Sequence, residues 1–224
     1  MDKELAARVL DELPFIKEDL DYFYNYHSSK IENNSLTYGE TVTLLKDGFG
    51  VAKPIKDIHD MENHHKALGY LHELVKADEP LSIRGIREIQ ALIEPEKSGF
   101  RKNLVEILNT LTKTAEPFEI AIRLQELVDD YNNSTDDLFT RLAKFHVAFE
   151  TIHPFVDGNG RTGRMLLNLE LMKNGYPLTA IKFEDRAKYY DAFGEGVESM
   201  RDLIKKSVED TYSLIEKKAK GEFS

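Results

Sequence analysis

Twelve consecutive residues gather most of the groups in this chain that could do chemistry: His153-Pro154-Phe155-Val156-Asp157-Gly158-Asn159-Gly160-Arg161-Thr162-Gly163-Arg164. Gly158 and Gly160 flank Asn159, and all three tolerate positive φ. Such a turn points successive backbone N–H groups into one concavity, which binds anions. The helix N-terminus that follows is a second anion site. Arg161 and Arg164 stand three apart on the first turn of that helix. Cations there oppose the positive end of the macrodipole by about 0.3–1 kcal/mol each, and a bound polyphosphate would be a reason to place them so. Asp157 lies among these anion donors. A carboxylate beside phosphates is repulsive unless a cation such as Mg2+ bridges them. His153 is the nearby group that titrates near neutrality, and Pro154 ends the helix before it. A histidine before proline is usually a helix terminus, and Gly-Asn-Gly is usually a turn. Their coincidence in twelve residues predicts a general base at the mouth of a phosphate nest.

Helices must position these groups, because helical period dominates the chain. The apolar spacing predicts helices over 3–12, 15–29, 38–47, 54–77, 82–93, 117–131, 135–152, 161–174, 184–198 and 200–218. Pro54 fits a first helical position and Ser82 an N-cap. Thr37 with Glu40 reads as a capping box, and Ser134 with Asp137 as a capping signal. Leu138, Leu142, Phe145, Phe149 and Ile152 form the apolar stripe of the helix that ends at His153. Residues 99–115 resist this reading. Their partial alternation and Thr-rich end predict a short β-hairpin. The fold class expected is all-α, a helical bundle with one small β-hairpin flap. Residues 1–50 form N-terminal helices and 51–224 the core of a single compact unit.

Composition bounds the partners. With 30 Lys+Arg against 40 Asp+Glu, the 224-residue chain carries a formal charge of −10. That argues against nucleic acid and anionic membranes as partners. There are no cysteines, which excludes a thiol nucleophile, a disulfide scaffold and a Cys-ligated metal. No apolar run approaches a membrane span. The charged start, Met1 to Glu4, has no signal-peptide core. The expectation is a soluble, cytoplasmic protein. His59, Glu62, His64, His65 and His72 match no metal-binding spacing and read as structural, with His65 packed on the apolar stripe.

His153 to Arg164 matches the Fic motif, HPFx[D/E]GNGRxxR, at every defined position, and the chain from about residue 15 to 215 resembles the Fic family. The resemblance implies a Fic fold and transfer of AMP from ATP to a Ser, Thr or Tyr hydroxyl of a target protein. His153 would take the hydroxyl proton, and Phe155 would anchor the loop in the core. Asp157 would hold Mg2+ (or Mn2+) between the α- and β-phosphates. The backbone of Gly158, Asn159 and Gly160 would cradle phosphate oxygens, with Arg161 on the β- and Arg164 on the γ-phosphate. The family includes kinase-like and phosphocholine-transferring members. The intact Gly160-Arg161 pair favours AMP transfer.

A second segment, Ser28-Ser29-Lys30-Ile31-Glu32-Asn33, is bland alone. It resembles the family's inhibitory pattern [S/T]xxxE[G/N], with Ser28, Glu32 and Asn33 at the defined positions. The resemblance implies that Glu32 pairs with Arg164, removes the γ-phosphate's partner and misaligns the α-phosphate. It also implies that Gly99, Phe100, Arg101 and Leu104 form a flap that docks the target by strand addition, and that self-modification and self-association can occur. Tyr189 and Tyr190 would lie near the adenine pocket, or simply be one core and one surface tyrosine. Two alternatives stay open beside the self-inhibited transferase. One is a metal-dependent de-AMPylase, or an enzyme with both activities. The other is a non-catalytic nucleotide-binding interaction module.

Overall fold

The computed structural model describes residues 2–105 and 114–222. Ten α-helices account for most of them: α1 (Lys3–Glu12), α2 (Pro14–Ile31), α3 (Tyr38–Asp47), α4 (Ile55–Ala77), α5 (Ile83–Ile93), α6 (Ile120–Asn133), α7 (Leu138–Ile152), α8 (Asn159–Lys173), α9 (Arg186–Glu195) and α10 (Val197–Ala219). Short 3-10 turns cover Pro95–Lys97 and Phe183–Asp185. The all-α fold expected from the apolar periodicity is the fold observed.

The caps explain most boundaries. Asp2 and Ser82 each accept a backbone N–H three residues on, and Thr37 with Glu40 closes a reciprocal capping box. α7 begins at Leu138 rather than 135, because Asp137 is the N-cap and accepts from the backbone N–H groups of Phe139 and Thr140. α6 starts at Ile120, three residues later than the spacing predicts. α8 starts at Asn159 instead of Arg161. Gly158, at φ +79°, turns the chain directly into the helix, so the glycine turn is the helix's own first turn.

α8 is the centre of the molecule. It packs against α2, α4, α5 and α7, and every residue from Arg161 to Leu171 is buried. A helix enclosed on all sides has no polar stripe, so its polar residues must be paired inside. Asn168 exchanges two hydrogen bonds with the Thr179 backbone at 2.9 and 2.7 Å. Glu170 takes the Tyr131 hydroxyl at 2.9 Å and the Lys173 ammonium at 3.1 Å. α7 lies beside α8, so the C-terminus of one and the N-terminus of the other bracket residues 153–158.

The expected hairpin is not seen. Among the described residues there is one isolated antiparallel bridge, Phe100 to Phe155, and the Arg101 N–H donates to Pro154 O at 3.0 Å. This stretch pairs with the loop after α7. Residues 106–113 of the expected hairpin lie outside the described residues.

Candidate active site

The loop is built from two locks. Phe155 is wholly buried; its ring lies 5.8 Å from Phe100 and 6.4 Å from Phe149. Asn159 turns back on the loop, its Oδ1 accepting from Phe155 N at 2.9 Å and its Nδ2 donating to Phe155 O at 3.0 Å. Beyond the backbone role its place in the turn implies, Asn159 thus staples the loop with its side chain, a contact that no local pattern marks. Asn159→Ala would strand two buried backbone groups, costing about 2–4 kcal/mol. Urea unfolding measures this, and a variant as stable as the parent would show that Phe155 needs no such partner.

The glycines leave space that is used. A Cβ on Gly160 would collide with Glu32 Oε1, and one on Gly163 would come within 2.7 Å of Glu150 Oε1. Gly158 carries no capping side chain, so the first N–H groups of α8 are open to an anion. They border a cleft of about 120 Å3 lined by Glu32, His153, Asp157 and the Gly158–Arg161 turn. Pockets for whole ligands ordinarily measure about 300–1,000 Å3; this one has room for part of a nucleotide.

Every charge around the cleft already has an opposite. Arg164 is 2 % exposed. Its Nη2 donates to Glu32 Oε1 at 2.8 Å and to Ser28 O at 2.9 Å, its Nε to Ser28 Oγ at 3.1 Å, and its Nη1 to Tyr189 OH at 3.3 Å. Arg161 Nη2 reaches Glu94 Oε1 at 2.5 Å, and Asp157 Oδ2 takes Lys97 Nζ at 2.5 Å. Glu94 precedes and Lys97 ends the 3-10 turn after α5. They stand 67 and 60 residues from their partners, and no local signal marks them. Gln90 ties that turn to the loop by donating to Lys97 O and Asp157 O.

Ser28 and Glu32 come from the end of α2. Asn33, just past it, has φ +66°, the left-handed exit that Gly and Asn favour. Arg186 Nε satisfies Ile31 O at 2.8 Å. Ser28 is itself fixed from below. His64 is wholly buried, its Nδ1 at 2.7 Å from Asn25 Oδ1 and its Nε2 at 3.1 Å from Ser28 Oγ. The packed histidine of α4 is thus His64, whereas His65 is only half-buried, because α4 turns its 64 position toward α2 and α8.

His153 caps α7 at φ +50°. Its Nδ1 lies 3.3 Å from Glu150 O. A carbonyl only accepts, so Nδ1 carries the proton and Nε2 keeps its lone pair. Burial holds the imidazole below its ordinary value, outweighing the favourable Glu150 carbonyl. For Asp157, burial alone would raise the carboxyl, yet Lys97, the Gly158 N–H and Arg161 together hold it low. The pair is a neutral base beside an ionised carboxylate. One carboxylate with room for phosphate oxygens fits Mg2+, which keeps waters and takes one or two protein ligands. Among the described residues no cluster of three or more such ligands exists.

Of the flap residues, Gly99 donates its N–H to Gln90 Oε1 at 3.3 Å and Phe100 stacks inward, while Leu104 is 58 % exposed. The Arg101 side chain is buried against main-chain carbonyls. Tyr189 is a core residue on Arg164, and Tyr190 is exposed.

Burial keeps further histidines neutral. It holds His27 at about 4, His146 at about 3 and His64 well below its usual range. It pushes Glu150 up to about 8 against the pull of Arg164. Between about pH 6 and 5 the unfolded chain binds three protons that these folded histidines refuse, and folded Glu150 holds one that the unfolded chain has lost. The net from these four groups is about two protons, and His153 and His65, also held low, add to it, so stability falls by at least roughly 2–3 kcal/mol per unit of acidification. Between about pH 7 and 8 Glu150 is the main group that differs between the states, and stability falls as pH rises. Urea midpoints should peak near about pH 6.5–7; a steady gain down to about pH 5 would refute the neutral buried histidines.

Comparison with known proteins agrees with this geometry. The Fic/DOC family model matches residues 80–171. The protein adenylyltransferase fic-1 of Caenorhabditis elegans is 32 % identical over 179 residues, covering 75 % of this chain and 35 % of that protein. The protein adenylyltransferase Fic of Drosophila willistoni is 30 % identical over 185 residues, covering 78 % and 36 %. The chain spans about a third of the length of these curated relatives. Among solved structures, a Fic-domain-containing signalling protein from Bacteroides thetaiotaomicron superposes with a TM-score of 0.85 at 25 % identity, covering 96 % of this chain and 93 % of that one. Residues 134–508 of Fic-1 from C. elegans superpose at 0.78 and 25 % identity, covering 99 % and 71 %. No helix among the described residues is long and apolar enough to cross a membrane. The helical core, the loop between α7 and α8 and these relatives agree: the chain belongs to the Fic/DOC family.

Proposed function

We propose that this chain is a protein adenylyltransferase that moves AMP from ATP to a hydroxyl of a target protein, or of itself. The observation that carries the reading is His153 with Nδ1 on the Glu150 carbonyl, which leaves Nε2 to accept a proton, at a cleft floored by the open N-terminus of α8. The target oxygen attacks the α-phosphorus as Nε2 takes its proton; the bond to the β-phosphate oxygen breaks and pyrophosphate leaves. The α8 N–H groups and Arg161 hold the phosphates in line, and Arg164 holds the γ-phosphate once Glu32 releases it. Asp157 would hold Mg2+, which when bound offsets the charge between the α- and β-phosphates. General-base help is worth about 10²–10⁴-fold, and fixed charge on the phosphates supplies much of the rest.

In this reading residues 1–50 are a regulatory layer on a catalytic core of 51–224, and the chain belongs to the N-terminally inhibited class. Glu32 occupies Arg164 and fills the space above Gly160. In Glu32→Gly, ATP labelled at the α-phosphate should put label on protein, whereas label at the γ-phosphate should leave as pyrophosphate. Label transferred from the γ position would overturn AMP transfer in favour of phosphorylation. Nucleotide binding without chemistry in both the unaltered chain and Glu32→Gly would leave an interaction module.

The Glu32 carboxylate also lines the cleft that holds His153. That supports a second reading, in which Glu32 orients a water against the phosphorus of an AMP–protein bond. Free AMP appearing from a modified target, and lost in Glu32→Gln, is the expected sign of this activity.

A further inference from the structure

The guanidinium of Arg101 is committed to four carbonyls. Nε donates to His153 O at 2.7 Å and Nη1 to Asn103 O at 2.8 Å; Nη2 donates to Ala115 O at 2.5 Å and to Ile152 O at 3.3 Å. The side chain is 2 % exposed. Ile152 and His153 are the last residue and the C-cap of α7, whose final carbonyls have no partner within the helix. A cation belongs at such an end, and a planar fork with five donors can serve four fixed acceptors, whereas an ammonium has only three donors. His153 sits at φ +50°, a conformation that a non-glycine residue holds only when its surroundings over-determine it. Rotation of its carbonyl would carry the ring away from the cleft.

We propose that Arg101 is a positioning residue for the transfer reaction. It grips the His153 and Ile152 carbonyls, and so fixes where Nε2 points. It also ties Asn103 and Ala115 to the helix that carries the base. This role rests on His153 as the general base and differs from contact with the target.

The test uses the Glu32→Gly background. Arg101→Lys keeps the charge and loses the fork, so kcat should fall roughly 10- to 100-fold. KM for ATP and for the target should stay within about threefold, and the acid limb of the pH profile should not move. Arg101→Gln also removes a charge that holds His153 low, so its acid limb should shift to higher pH. Millimolar guanidinium should restore turnover to Arg101→Ala. Parental kcat in Arg101→Lys overturns the proposal, as does a loss confined to the target KM, the mark of docking. In the unaltered chain the Arg101 Nε proton should exchange about 100-fold more slowly than those of surface arginines. Exchange at the surface rate overturns the proposal even if no variant folds. His153→Ala separates the two readings. Transfer surviving there removes the base itself, whereas transfer lost there but intact in Arg101→Lys removes only the positioning role.

Discussion

Glu32→Gly is expected to raise AMP transfer by roughly 10²-fold or more, read as α-phosphate label on protein per unit time. Glu32 holds Arg164 Nη2 at 2.8 Å and occupies the space above Gly160. On the proposed reading, while it stays the γ-phosphate would lack a partner and the nucleotide would settle out of line. A displacement of about 1 Å is enough for a 10²-fold loss. The substitution leaves Arg164 bonded to Ser28 and Tyr189, so the chain stays folded and loses about 1–2 kcal/mol of stability. Glu32→Gln should activate less, because the amide still fills the space although it has lost the charge. An unchanged rate in Glu32→Gly would sink the brake.

His153→Ala should lower transfer to an added target by about 10²–10⁴-fold while ATP binding persists. The anion-binding N–H groups and both arginines belong to α8, which the substitution does not touch. His153→Asn is the matched control, since asparagine accepts the left-handed backbone more readily than alanine. Both variants should bind nucleotide and neither should transfer it. Full transfer in either would falsify the base assignment.

The parts of this molecule that were legible in the sequence are those written locally. Caps such as Ser82 and Thr37–Glu40 act within four residues, and the stripe from Leu138 to Ile152 has a fixed period. The loop from His153 to Arg164 is contiguous, so residue types and spacing alone called for a base, a metal carboxylate and an anion nest. What stayed hidden depends on the tertiary fold. Glu94 and Lys97 meet Arg161 and Asp157 only because α5 packs on α8. His64 reaches Ser28 only because α4 lies on α2. Arg101 fits an extended pattern, and its side chain faces inward because the α7 carbonyls wait there. The pairing of Phe100 with Phe155 belongs to the same class, because it joins the loop after α7 to a stretch far earlier in the chain.

Glu94 and Lys97 bear on what binding means here. Arg161, Arg164 and Asp157 are not bare: carboxylates hold the two arginines and an ammonium holds Asp157, in the places the proposed function gives to phosphates and a metal. A nucleotide with its cation would therefore exchange existing ion pairs for new ones instead of meeting bare charges. Affinity is then a difference between two nearly balanced sums. Changes at Glu94 or Lys97, neither of which touches the reacting atoms, can shift it in either direction. Exchange of this kind also weakens the dependence on salt that an open cationic pocket would have.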